Sequence, residues 1–63
     1  MQKGNKILIV EDEFIVANDL RMILKKHGYQ VIGIASSVKQ ATTIIETQKP
    51  DWVLLDIILK GTE

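Results

Sequence analysis

Four carboxylates stand where they could do chemistry. Glu11, Asp12 and Glu13 follow directly on the apolar run Ile7 to Val10, and Asp56 closes a later run, Val53 to Leu55. Adjacent like charges repel, so such a cluster costs stability unless something positive sits among it. Carboxylates in this setting bind hard cations or act as oxygen nucleophiles. The other candidates are weaker. His27 is the single histidine and sits beside Lys25 and Lys26, which suits a solvated charge at a helix C-terminus better than a ligand. Glu13 reads as an acid of a first helical turn. The chain has no cysteine, so it has neither a thiolate metal site nor a disulfide framework.

The elements that carry these acids are legible from periodicity. Lys6 to Val10 is short, continuous and β-branched, the pattern of a strand buried on both faces in a parallel sheet. Phe14 to His27 is a helix, with Phe14, Ala17, Leu20 and Leu24 at helical spacing and Val16 and Ile23 flanking them. Asp12 or Glu13 is expected to cap it, Lys25, Lys26 and His27 fill its last turn, and Gly28 suits the C′ position. Tyr29 to Ala35 is a second strand, in which Gly33 eases close packing. Ser36 or Ser37 caps a second helix, Val38 to about Thr47, with Val38, Ala41, Thr42 and Ile45 as its stripe and Ile44 beside it. Its β-branched run Thr42 to Ile45 makes it the poorer helix, and Lys49-Pro50 stops it. Asp51 falls in the turn after Pro50. Trp52 to Ile57 is a third buried strand, and Trp52 is expected to pack partly buried or to anchor an interface. Gly61 supplies turn chemistry, and Lys60 reads as a solvated loop lysine.

Strand–helix–strand–helix–strand order means parallel strands joined by right-handed crossovers. Two arrangements satisfy it: order 1-2-3 with both helices on one face, or order 2-1-3 with one helix on each face. Apolar residues on both sides of all three strands favour 2-1-3. That order puts a switch-point crevice between strands one and three, where open α/β sheets bind ligands. Glu11 and Asp12 then face Asp56 across neighbouring strands, about 4.8 Å apart. This oxygen donor set suits Mg²⁺, which leaves coordination positions open for a phosphoryl group. The N-terminal amides of the first helix favour anions in the same place. The chemistry that fits is an aspartyl-phosphate, with Asp56 as the nucleophile.

The runs "ILIVEDE", "DLRMILKKHGY", "VIGIASSVKQA" and "DWVLLDIILKG" together resemble the first half of a receiver domain of two-component response regulators. The likeness extends from Lys6 to Gly61, and it is the joint spacing of the acidic pair, the strand-ending Asp and the D-I-x-L-x-G run that makes it specific. The resemblance implies an α/β flavodoxin-like half-fold, β-α-β-α-β, with residues 1–63 as a partial receiver domain. It implies that Asp56 accepts a phosphoryl group from a histidine kinase or phosphotransfer protein. It further implies Mg²⁺ held by Glu11, Asp12, Asp56 and the backbone carbonyl of Ile58, and a signalling role rather than that of an ordinary enzyme.

Complete receivers have five strands and five helices, and this sequence covers three strands. It lacks the family's later Ser/Thr and Lys, so phosphotransfer is expected to be impaired. The third strand is expected to be an uncovered edge, prone to pair antiparallel with a second copy across a two-fold. The competing reading is therefore a self-associating interaction module without phosphotransfer. An aspartyl phosphohydrolase ranks lower, because its second Asp would fall at position 58, which is Ile. A dinucleotide-binding half ranks lower still, because no G-x-G-x-x-G follows the first strand. Eight basic and eight acidic residues balance to zero, which gives no nucleic-acid footprint. No apolar run reaches the length of a membrane span, the N-terminal "MQKGNK" lacks a signal-peptide core, and a cytoplasmic location is the default.

Overall fold

The structure, a computed structural model, describes residues 4–56. Five elements follow in order: β1 (Lys6–Val10), α1 (Phe14–Lys26), β2 (Gln30–Ala35), α2 (Val38–Gln48) and β3 (Trp52–Leu55). The three strands form one parallel sheet in the order β2-β1-β3. This is a flavodoxin-like partial fold with β1 at its centre. The register of β1 on β2 slips between Ile7 and Leu8, so Ile7 pairs with Val31 and Leu8 with Gly33.

The helix ends follow local chemistry. His27 caps α1, Gly28 turns left-handed at φ 90°, its amide bonds to the Lys25 carbonyl, and the Tyr29 amide bonds to the Leu24 carbonyl. These two bonds make a Schellman ending, which needs a residue free to take positive φ. The Ser37 hydroxyl caps α2 by accepting from the Gln40 amide at 3.1 Å. At the other end Lys49 adopts φ 50°, ahead of Pro50, whose ring disfavours continued helix.

The core is centred on β1. Leu8 and Val10 cluster with Ala35 and Ala41, and Ile44 packs against them, which defines the α2 face. Strand alternation sends Ile7 and Ile9 to the opposite face, the one covered by α1, where Ala17 is buried. One helix thus covers each face. An added methyl at Gly33 would meet Ile44 Cδ1 at 3.4 Å and Leu8 Cδ1 at 3.7 Å. This glycine lies under α2, but a methyl there would sit at ordinary contact distance, so the packing does not require a glycine as expected.

Three sequence expectations need correction. The third strand is not buried: Trp52 is 45% exposed and Leu55 67% exposed. Both helices lie over β1 and β2, and among the described residues neither reaches β3. The helix stripes are also narrower than periodicity suggests. Phe14, Ile23, Val38 and Ile45 face solvent, whereas Ala17 and Ala41 are buried, Leu20 and Leu24 are half-buried, and Ile44 packs against the core. Finally, Asp51 is more than a turn residue. Its amide donates to the Lys6 carbonyl at 2.8 Å and its carboxylate accepts from the Lys6 amide at 3.0 Å. This clamp ties the start of β3 to the start of β1. Gly4 lies directly against the Asp51 carboxyl, where any Cβ would overlap it, and the Trp52 indole donates to the Gly4 carbonyl at 3.1 Å. The described strand spans Trp52–Leu55; the expected strand end at Ile57, the Ile58 carbonyl, Lys60 and the Gly61 turn lie outside the described residues.

Candidate functional site

The acids gather at the C-terminal end of the sheet because β1 runs between its two neighbours. The Glu11 amide donates to the Ala35 carbonyl at 2.8 Å, and the Asp56 amide donates to the Val10 carbonyl at 2.8 Å. The first bond joins the β1 end to β2, and the second joins it to β3. Glu11 and Asp56 are therefore held by backbone bonds from opposite sides of one strand end.

Their environments differ sharply. Glu11 is 5% exposed, whereas Asp12 and Asp56 face solvent. The Glu13 amide donates to Glu11 Oε1 at 3.1 Å. That bond favours the carboxylate and pulls the Glu11 pKa down. Burial, hydrogen bonds that the protonated Glu11 carboxyl donates to the Asp12 and Asp56 carboxylates, and the Asp56 charge outweigh it, so the net shift is upward from the ordinary glutamate value. The repulsion anticipated from the sequence is thus concentrated on the one buried member.

The same bond revises the capping expectation. Glu13 occupies the N-cap of α1 but its side chain makes no cap hydrogen bond; Glu11 instead reaches forward to the Glu13 amide. Helix α1 starts at Phe14, so its unbonded first-turn amides follow the acids directly. At its far end His27 Nδ1 lies 2.9 Å from the Ile23 carbonyl. The histidine is a helix-end group there, remote in the chain from the acids.

Among the described residues, no group of three or more His, Asp or Glu side chains is arranged as a ready metal-binding set. The acids meet pairwise through Glu11. Their donor atoms are all carboxylate oxygens, which suit a hard divalent cation, and added positive charge would relieve the crowding at Glu11. Ile58, expected to add a backbone carbonyl, lies outside the described residues. A hollow of about 200 Å³ opens beside the cluster, lined by Glu11, Asp12, Phe14, Ile34, Ser36 and Gln40. Ser36 and Gln40 had no place in the sequence-based site. The Ser37-x-x-Gln40 spacing of a helix start was the available signal for Gln40, and it did not mark Ser36.

Comparison with known proteins bears on what this arrangement is. Residues 7–63 match the family described as response regulator receiver domain. The chain is 36% identical over 52 residues to the transcriptional regulatory protein PdtaR of Mycobacterium tuberculosis, covering 82% of this chain and 25% of that protein. It is 38% identical over 61 residues to the uncharacterized transcriptional regulatory protein YbdJ of Bacillus subtilis, covering 97% of this chain and 26% of that protein. It is 34% identical over 55 residues to the B. subtilis transcriptional regulatory protein YvrH, covering 87% and 23%. The chain spans about a quarter of the length of these curated relatives. No solved structure is a significant match. Among the described residues, no helix is long and apolar enough to cross a membrane.

Proposed function

The chain belongs to the response regulator receiver family, and on that premise we propose that Asp56 accepts a phosphoryl group from a histidine kinase or phosphotransfer protein. The observation that carries this reading is the 2.8 Å bond from the Asp56 amide to the Val10 carbonyl, which puts Asp56 beside Glu11 at the sheet end. In the transfer, one Asp56 oxygen bonds to phosphorus as the bond from phosphorus to the donor imidazole nitrogen breaks. Asp56 is exposed and open to a donor, whereas Glu11 is buried and held by two backbone partners. That split suits a nucleophile and a fixed supporting charge. Mg²⁺ would be held by Glu11, Asp12, Asp56 and the backbone carbonyl of Ile58, and when bound it supplies the positive charge that offsets both the carboxylates and the phosphoryl oxygens.

Under the same reading, residues 1–63 are the N-terminal half of a receiver domain acting in the cytoplasm. Phosphotransfer by this stretch alone is then slower than by a complete receiver. The relatives are named as transcriptional regulators, so a transcriptional output belongs to the proposal. The test is incubation of the chain with acetyl phosphate and Mg²⁺, read by intact mass. A gain of one phosphoryl group is expected, and Asp56→Asn abolishes it. An equal gain in Asp56→Asn would refute the assignment.

One observation favours a second reading, a self-associating module without phosphotransfer. Trp52, Val53 and Leu55 line the exposed edge strand, which is a pairing hazard in any free chain. Light scattering decides it, because a strictly monomeric chain at high concentration excludes the module.

A further inference from the structure

We propose that Gln40 is a positioning residue for the acidic site, acting through the Ala35–Ser36 peptide on the backbone of Glu11. The inference rests on the reading of Glu11, Asp12 and Asp56 as the functional cluster. Gln40 is the third residue of α2, three after the Ser37 cap. An ordinary capping box would return its side chain to the amide of the cap residue itself. Here Gln40 Oε1 reaches one residue further back. It accepts from the Ser36 amide at 2.8 Å and from the Ser36 hydroxyl at 2.9 Å.

The extra reach matters because the Ser36 N–H and the Ala35 carbonyl belong to one planar peptide unit. Gln40 holds the N–H end of that plane. The carbonyl end accepts the Glu11 amide at 2.8 Å. A rotation of this plane would move the anchor of Glu11, and Gln40 opposes the rotation. Ser36 and Gln40 also line the hollow that Glu11 and Asp12 share. The Gln40 side chain bonds to Ser36 rather than to an acid of the cluster, so its effect passes through backbone geometry.

Amide hydrogen exchange of the full chain, followed by NMR, tests this without any metal. Gln40→Ala is expected to speed exchange at Glu11 by about tenfold, the equivalent of one hydrogen bond, with the Leu8 and Ile9 amides unchanged. Gln40→Glu keeps the acceptor oxygen and restores protection. Ser37→Ala loosens the helix cap but spares both Ser36 bonds, so it leaves Glu11 unchanged. Ser36→Ala removes one of the two bonds and gives a smaller rise, a milder variant should Gln40→Ala unfold. A uniform rise across Leu8, Ile9 and Glu11, or an equal rise at Glu11 in Ser37→Ala, overturns the inference. In parallel, Mg²⁺ affinity is expected to fall by about tenfold in Gln40→Ala, as when an outer partner of a ligand is lost. Absence of Mg²⁺ binding by the unmodified chain would count against the phosphoreceiver reading, while the exchange data would still decide the positioning role.

Discussion

Leu8 and Leu55 offer the same truncation in two neighbouring strands with opposite surroundings. Leu8 is 0% exposed and Leu55 67% exposed. Removing the Leu8 side chain loses its transfer free energy and leaves a cavity among Val10, Ala35, Ala41 and Ile44, at a cost of about 3 kcal/mol within a usual range of about 2–5. A chain of 63 residues has a total stability of roughly 3–9 kcal/mol. Leu8→Ala therefore consumes a third of it or more. Leu55 keeps about a third of its side chain covered, and full burial is worth about 1.5–3 kcal/mol, so Leu55→Ala costs only about 0.5–1 kcal/mol. With a urea slope near 1 kcal/mol/M for a small protein, the midpoint drops by about 3 M for Leu8→Ala and by 1 M or less for Leu55→Ala. Far-UV circular dichroism in urea measures both. Equal midpoint shifts would refute the reasoning, because they would mean that the outer face of β3 is covered in solution. If a second copy supplies the cover, the Leu55→Ala cost grows with protein concentration.

Three further outcomes follow from particular contacts. Folded Glu11 holds its proton to higher pH than it does in the unfolded chain. Stability therefore falls as pH rises from the ordinary glutamate range through the raised folded value. Glu11→Gln, which keeps an acceptor for the Glu13 amide, is expected to be more stable at neutral pH and flat across that window; an unchanged slope of urea midpoint against pH would count against the crowding at Glu11. Asp51→Ala removes the acceptor of the Lys6 amide and is expected to cost about 1 kcal/mol, with a shift in the fluorescence of the adjacent Trp52; thermal unfolding without loss would show that the clamp is dispensable. Gly33→Ala adds a methyl at ordinary contact distance from Ile44 and Leu8 and removes a flexible glycine from a strand, so a gain of about 0.5 kcal/mol is expected, and a loss of more than 1 kcal/mol would mean that α2 sits closer than described.

Order and type of the elements were legible because they rest on local patterns. The β-branched run Lys6 to Val10, the Gly28 stop and the Lys49-Pro50 stop all act within a few residues, and each stands where periodicity predicts. The strand-end position of Glu11 and Asp56 followed from the same patterns. The 2-1-3 order was a choice between two allowed topologies, and the pairing of β1 with both neighbours decides it. Tertiary structure alone determined what depends on distant partners. Asp51 meets Lys6 across 45 residues of chain. Glu11 is buried while its neighbour Asp12 is exposed, because only Glu11 turns back against the β2 end and the α1 start. The uncovered edge of β3 was expected from an incomplete sheet, but the exposure of its faces could not be read from its apolar composition. A strand is buried by what lies over it, and both described helices lie over β1 and β2.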